Sequence, residues 1–70
     1  MYENLEYDTL NLKDYLTSTG IQKKAFARMV GISLAALSNY IHGRRIPRLD
    51  IAHRIVTVTK GKVTIKDLLK

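Results

Sequence analysis

The sequence predicts a compact all-α domain built from four to five short helices. Apolar residues recur three and four positions apart in successive segments, which is the spacing of one helix face. Glycine directly follows several of these segments, and Asn, Ser or Thr precedes several, as is typical of helix ends. With 70 residues and 46% hydrophobic composition, the chain is expected to form one domain with a packed core.

The first helix is predicted over Leu12–Thr19. Asn11 is a suitable N-cap, and Asp14 stands three residues later, where a capping box has its acidic partner. Gly20 is expected to end the helix. The apolar stripe consists of Leu12, Tyr15 and Leu16.

The next two helices are predicted over Lys23–Met29 and Leu34–Ile41. Gly31 lies between them and tolerates the positive φ that a tight corner needs, while Ser33 is the N-cap of the third helix. The small Ala27 allows the two helices to approach closely. Two short helices joined in this way form a helix-turn-helix. By spacing, its core-facing residues are Phe26, Ala27, Val30, Leu37 and Tyr40.

A fourth helix is predicted to begin at Pro47, because proline suits the first helical position. Its apolar positions are Leu49, Ala52, Ile55 and Val56.

The end of the chain allows two interpretations. Alternating β-branched residues around Lys60 and Gly61 would form a β-hairpin and give an α+β fold. Alternatively, Gly61 ends the fourth helix, and Thr64 with Asp67 caps a short fifth helix that ends in Leu68 and Leu69. We favour the helical interpretation, because the preceding segment Pro47–Ile55 has a helical pattern.

The charge of the chain is unevenly distributed. The net charge is +6, but residues 1–10 carry three acids and no base, so the other sixty residues carry +9. We interpret residues 1–10 as an acidic N-terminal tail or arm and residues 11–70 as a helix-turn-helix DNA-binding domain. Between Lys23 and Arg54 there are seven basic residues and one acid. A basic cluster centred on a helix-turn-helix is typical of a surface that faces phosphate.

Other classes of protein lack support in the sequence. The chain has no cysteine, which excludes disulfides and cysteine-based zinc sites, and it has no apolar run near the ~20 residues of a membrane span. His42 and His53 are not accompanied by acids at metal-ligand spacing, and no phosphate loop or nucleophile motif is present. We therefore expect no enzyme, no cofactor, no metal and no small-molecule ligand, and the missing cysteines fit a reducing, cytoplasmic location.

The chain resembles the Cro/repressor-type helix-turn-helix family of phage and bacterial regulators. The resemblance spans about residues 11–69, and the five-helix, all-α members are the most similar, although the start and the IHGRR run also resemble Cro proteins that end in a β-hairpin. It implies a repressor-like fold, sequence-specific binding to double-stranded operator DNA, and a homodimer at least on DNA. Four segments carry it: LKDY (12–15), KAFARMVGIS (24–33), LSNYIHGRRIP (37–47) and GKVTIKDLL (61–69).

The resemblance implies that the third helix lies in the major groove and reads bases. Asn39 is the clearest polar reader, because its amide can pair bidentately with adenine N6 and N7. Leu34 and Ala35 stand where the family often has glutamine and can contact only thymine methyl groups, so we expect A·T-rich half-sites. Alternatively, these two side chains pack sideways and Asn39 alone specifies sequence. The base-reading residues are thus Leu34, Ala35, Ser38 and Asn39.

Phosphate contacts are implied on both sides of this helix. The N-terminus of the second helix offers free N–H groups and a favourable dipole for an anion. The expected phosphate-binding residues are Gln22, Lys23, Lys24, His42, Arg44, Arg45 and Arg48. For Arg28 and Arg54, phosphate contact and a solvated helix position are both open.

Two functions stay open at this point. The first is a transcriptional repressor that acts by occupying a promoter, with a dimer interface on the apolar residues Val58, Val63, Leu68 and Leu69. The alternative is an antitoxin-like or small regulatory protein-binding module that uses the same fold, with Met1–Asp8 as a docking arm. Salt-dependent binding to random duplex DNA would separate the two.

Overall fold

The computed structural model describes residues 10–69, which contain five helices and no strand. The predicted all-α fold is therefore confirmed, and the alternative with a C-terminal β-hairpin is wrong. The acidic tail or arm predicted over residues 1–10 lies outside the described residues, apart from Leu10. The helices are α1 (Leu12–Thr19), α2 (Lys23–Val30), α3 (Leu34–Ile41), α4 (Leu49–Val58) and α5 (Ile65–Leu68).

Local capping interactions set the beginnings of α1 and α3. The Asn11 side chain accepts a hydrogen bond from the Asp14 N–H at 2.8 Å, and the Ser33 hydroxyl accepts one from the Ala36 N–H at 3.0 Å. Each bond satisfies a backbone donor that has no partner within its helix. Both helices accordingly have the predicted bounds, whereas α2 runs one residue further than predicted, to Val30.

The corner between α2 and α3 is a left-handed glycine turn. Gly31 has a φ of 84°, and the N–H groups of Gly31 and Ile32 both donate to the Ala27 carbonyl, at 2.8 and 3.0 Å. Ala27 is 3% exposed, so the close approach of the two helices that its small side chain predicts is present. The predicted helix-turn-helix is confirmed.

The start of α4 differs from the prediction. The helix begins at Leu49 with Arg48 as its N-cap, and Pro47 lies before the helix as a buried residue. At the start of the helix Leu49 and Asp50 face outward, whereas Ala52 is buried. Leu49 is 65% exposed and does not belong to the apolar stripe, and the placement of Pro47 at the first helical position is wrong.

A buried threonine organises the loop between α4 and α5. The Thr59 hydroxyl is positioned to donate to the Val56 carbonyl at 3.2 Å and to accept from the Val63 N–H at 3.2 Å, and the residue is only 2% exposed. These bonds close the end of α4 and hold the residues after it in a compact loop, so the β-branched residues here do not form a hairpin. The predicted capping box of α5 is confirmed, since Thr64 and Asp67 each accept from the other's backbone N–H.

The core draws on all five helices and the α4–α5 loop. At its centre the rings of Tyr15 and Phe26 lie 6.0 Å apart in a tilted arrangement that aromatic pairs favour. Val63 is 0% exposed and Leu68 is 8% exposed, so their assignment to a dimer interface is wrong. Of the other two residues assigned to it, Val58 packs against the core and Leu69 is 56% exposed. The buried apolar residues are Leu12, Tyr15, Leu16, Phe26, Ala27, Val30, Leu37, Ala52, Ile55, Val63 and Leu68.

Candidate nucleic-acid interface

The outward face of α3 carries the four residues predicted to read bases. Leu37 is 0% exposed, and its burial fixes the rotation of the helix. Leu34 is 49% exposed and Ala35 is exposed, while Ser38 and Asn39 are half-buried. The apolar half of the predicted reading face is therefore open to an approaching surface, and the polar half is partly covered by neighbouring side chains.

One of these covering side chains is His42, at the C-terminal end of α3. Its Nδ1 lies 2.8 Å from the Ser38 carbonyl oxygen and 3.4 Å from the Ser38 hydroxyl. The short contact fits donation by Nδ1–H to the carbonyl, because a carbonyl oxygen only accepts. The imidazole is thereby held against the last turn of α3, with Nε2 as its second polar atom.

The chain then folds back along α3. Gly43 has a φ of 72°, and the N–H groups of Arg44 and Arg45 both donate to the Asn39 carbonyl, at 2.9 and 3.3 Å. The Arg44 Nε also donates to the Asn39 side-chain oxygen Oδ1 at 3.3 Å. Both oxygens of Asn39 are thus engaged by the turn that follows the helix.

The N-terminus of α2 carries positive charge and leaves its backbone donors open. Gln22 is the N-cap, but its side chain makes no capping hydrogen bond to any residue in the 10–69 range. Lys23 and Lys24 are exposed, and the first turn contains no acid. Cations at the positive end of a helix are unfavourable for the isolated protein, and an anion bound there would relieve this repulsion.

The structure brings the predicted phosphate-binding residues together in two groups. Gln22, Lys23 and His42 line one groove between α1, α2 and the end of α3, and Lys13 of α1 lines it as well. Sequence reasoning missed Lys13, because a single lysine on the first helix gives no signal of its position relative to α2. Lys24 is exposed beside this group.

The second group consists of arginines in the segment between α3 and α4. Arg44, Arg45 and Arg48 line a shallow cleft together with Tyr40 and Ile46. Both groups therefore lie beside the C-terminal half of α3, one on the α2 side and one on the side of the α3–α4 turn. This places positive charge on two sides of the same helix.

One arginine of the second group already has an anionic partner. The Arg48 Nη2 lies 3.1 Å from the Asp50 Oδ2, and the two side chains are 81% and 54% exposed. Desolvation would raise the pKa of the Asp50 carboxyl, but the Ile51 N–H and the Arg48 guanidinium outweigh it and lower that pKa below its usual value. An exposed pair of this kind contributes little to stability, yet it offsets part of the charge on Arg48.

For Arg28 and Arg54 the sequence allowed either a phosphate contact or a solvated position, and Arg54 makes a contact within the protein. Its Nη1 donates to the Val30 carbonyl oxygen at 3.5 Å, so a side chain from α4 closes the last turn of α2. Such a contact satisfies a carbonyl that lacks a partner within its own helix. Arg28 is exposed in the last turn of α2, where a cation complements the helix dipole.

Within residues 10–69, no group of three or more His, Cys, Asp or Glu side chains is arranged to hold a metal ion. None of the helices in this part of the chain combines the length and the apolar composition needed to cross a bilayer.

The fold and the charged surface around α3 define a helix-turn-helix protein of the DNA-binding class. A helix-turn-helix family model matches residues 12–66. Because this match covers most of the chain, the protein belongs to the Cro/C1-type helix-turn-helix family, and the resemblance drawn from the sequence is confirmed. Membership of this family supports the interpretation of the protein as a DNA-binding regulator. Neither the curated proteins nor the solved structures include a significant match.

Proposed function

We propose that the protein is a sequence-specific, double-stranded DNA-binding repressor that places α3 in the major groove of an operator. One observation carries the proposal: an exposed helix face with two cationic groups beside it, in a chain that belongs to a family of DNA-binding regulators. A cationic surface next to a recognition helix supplies the sequence-independent part of DNA affinity.

The phosphate contacts follow from this geometry. On the α2 side, the open N–H groups and the side chains of Gln22, Lys23 and Lys24 approach one backbone strand, with His42 beside them. On the other side, Arg44, Arg45 and Arg48 approach the opposite strand. If five or six of these residues contact phosphate, log K should fall against log[salt] with a slope of about −4 to −6.

The base contacts come from the outward face of α3. Leu34 and Ala35, which are exposed, are suited to thymine methyl groups, and Ser38 tolerates donors and acceptors alike. Asn39 carries most of the polar discrimination. A reading face with two apolar positions leaves part of the specificity to DNA shape.

The proposed mechanism is repression by simple occupancy, in which the bound protein covers a promoter. The protein would do this at the nucleoid in the bacterial cytoplasm.

We propose that the protein binds as a two-fold homodimer, because one such domain contacts few base pairs. Large apolar side chains that remain exposed favour association. Ile46 and Leu49, which are 54% and 65% exposed near the arginine group, are the proposed dimer contacts. Sedimentation of Ile46→Ser and Leu49→Ser variants tests this surface.

The function is tested by in-vitro selection from random duplexes, followed by titration of the selected duplex at several salt concentrations. We expect a palindromic site, with half-sites spaced for a dimer, and salt-dependent binding. Absence of enrichment together with absence of salt-dependent binding would contradict the proposal and favour a protein-binding module. Enrichment of a single half-site would contradict the dimer alone.

A further inference from the structure

We propose that Arg44 and Asn39 act as one base-reading unit that selects guanine in the major groove. The inference rests on the proposed function, in which α3 reads base edges. It moves Arg44 from the proposed phosphate contacts to a base edge and leaves the other six residues of that set for phosphate. The starting observation is the 3.3 Å hydrogen bond from the Arg44 Nε to the Asn39 Oδ1.

This contact determines which polar atom Asn39 offers to DNA. Arginine has donors only, so its partner must be the amide oxygen and not the amide nitrogen. Bidentate recognition of adenine by asparagine needs the oxygen to accept from N6 while the nitrogen donates to N7. In this structure Arg44 takes one of the two lone pairs of the Asn39 oxygen, so the guanidinium lies at that oxygen while the amide NH₂ keeps its donors for a base.

The backbone holds the arrangement in place. The N–H groups of Arg44 and Arg45 donate to the Asn39 carbonyl at 2.9 and 3.3 Å, in a turn that Gly43 permits with its φ of 72°. The Arg44 side chain therefore starts from a backbone tied to α3, and less conformational entropy is lost when it contacts a base. The half-buried state of Asn39 agrees with this cover.

The combined surface of the two side chains offers more hydrogen-bond donors than acceptors. The guanidinium of Arg44 and the amide NH₂ of Asn39 match the two acceptors of guanine, O6 and N7. Adenine offers one acceptor and one donor at the same edge, so it satisfies fewer of these donors, and its N6 group meets the guanidinium that lies at the Asn39 oxygen. We therefore infer guanine at this position, within a site whose other contacts favour A·T pairs.

The test is in-vitro selection with the wild type, an Arg44→Ala variant and an Arg45→Ala variant. Arg45 is the matched control, because it is the neighbouring residue and lines the same cleft. It donates to Asn39 through its backbone N–H, which the substitution leaves in place. We expect the wild type and Arg45→Ala to enrich guanine at one fixed position. Arg44→Ala should enrich adenine there, because the released Asn39 amide can then pair bidentately.

Fluorescence anisotropy on the selected duplex gives the magnitude. Replacement of that guanine by adenine, or by 7-deazaguanine to remove N7, should weaken wild-type binding about tenfold or more. For Arg44→Ala the preference for guanine over adenine should vanish or reverse. Arg45→Ala should bind both duplexes more weakly by a common factor.

Three outcomes would overturn the inference. Equal losses on the guanine and adenine duplexes for Arg44→Ala, as for Arg45→Ala, would show that Arg44 contributes charge only. Adenine at that position for the wild type would show that Asn39 reads alone. A wild type that enriches no sequence would overturn the proposed function as well. Thermal unfolding serves as the control that both variants are folded, which we expect because both side chains are exposed.

Discussion

The two cationic groups beside α3 differ in what already holds their side chains. At the N-terminus of α2, the side chains of Lys23 and Lys24 have no hydrogen bond or ion pair within the described 10–69 range. In the α3–α4 segment, Arg44 contacts Asn39 and Arg48 is paired with Asp50. These two lysines offer unengaged charge at a helix end whose first turn contains no acid. The arginines of the second group are donors whose positions are already set by contacts within the protein. The lysines are therefore suited to attracting phosphate, and the arginines to orienting the protein on DNA.

The largest effect is expected from reversing the first group with Lys23→Glu and Lys24→Glu together. DNA affinity should fall about a hundredfold or more, because two attractive contacts become repulsive. The unfolding free energy should rise, since acids complement the N-terminal end of the α2 dipole. Affinity titrations and chemical denaturation measure the two effects separately.

The matched control for that experiment is Lys60→Glu with Lys62→Glu. These exposed lysines lie in the α4–α5 loop and change the net charge equally, but they line neither cleft beside α3. A similar loss of affinity in both double variants would mean that overall charge, and not the α2 end, attracts DNA.

A smaller effect is expected from adding an N-cap to α2 with Gln22→Ser. The serine hydroxyl should accept from an open N–H of the first turn and stabilise the protein by about 1 kcal/mol. The same N–H is then less available to phosphate, so DNA affinity should fall severalfold. Gln22→Ala removes the side chain without supplying a cap, and equal affinities for the two variants would argue against N–H donation to phosphate.

A gain of affinity is expected from releasing the second group with Asp50→Asn. Arg48 then carries an unshared charge, and binding should strengthen a fewfold. Stability should decrease slightly, because Asp50 lies in the first turn of α4, where an acid complements the helix dipole. Adding Arg48→Ala to Asp50→Asn should abolish the gain; a gain that persists would locate its cause elsewhere.

The smallest effect concerns the response of the same pair to acid. The folded-state pKa of Asp50 is lowered, so its contribution to stability is fully present above the ordinary carboxyl pKa. That contribution is lost as the pH falls through the lowered folded value. Unfolding free energies of the wild type and Asp50→Asn should therefore differ at neutral pH and converge in acid. Curves that stay parallel to low pH would contradict the assignment.

Most helix bounds were predictable because they depend on near neighbours in the chain. The caps at Asn11, Ser33 and Thr64 each use a backbone group three residues away. Gly31 likewise permits its corner through its own φ. The exposure of Leu34 and Ala35 followed from the helical spacing around the buried Leu37, whereas the structure leaves Ser38 and Asn39 half-buried.

The interaction between Asn39 and Arg44 was beyond the reach of pattern reasoning. Spacing places Asn39 on the outer face, but it does not show that the following turn folds back and occupies its oxygen atoms. The Arg54 contact with Val30 was missed for a related reason, since 24 residues separate the partners. In both cases the partner is selected by the path of the chain and not by local preference.

The sequence by itself determined the all-α class, the helix-turn-helix and the uneven charge, because helical periodicity, capping and composition are local properties. Only the tertiary structure decided which apolar residues are left for a partner. Val63 in the α4–α5 loop and Leu68 in α5 are buried in the core, while Leu49 faces outward at the start of α4. Burial depends on which distant segments meet, and a periodic pattern marks an apolar position without identifying the surface that covers it.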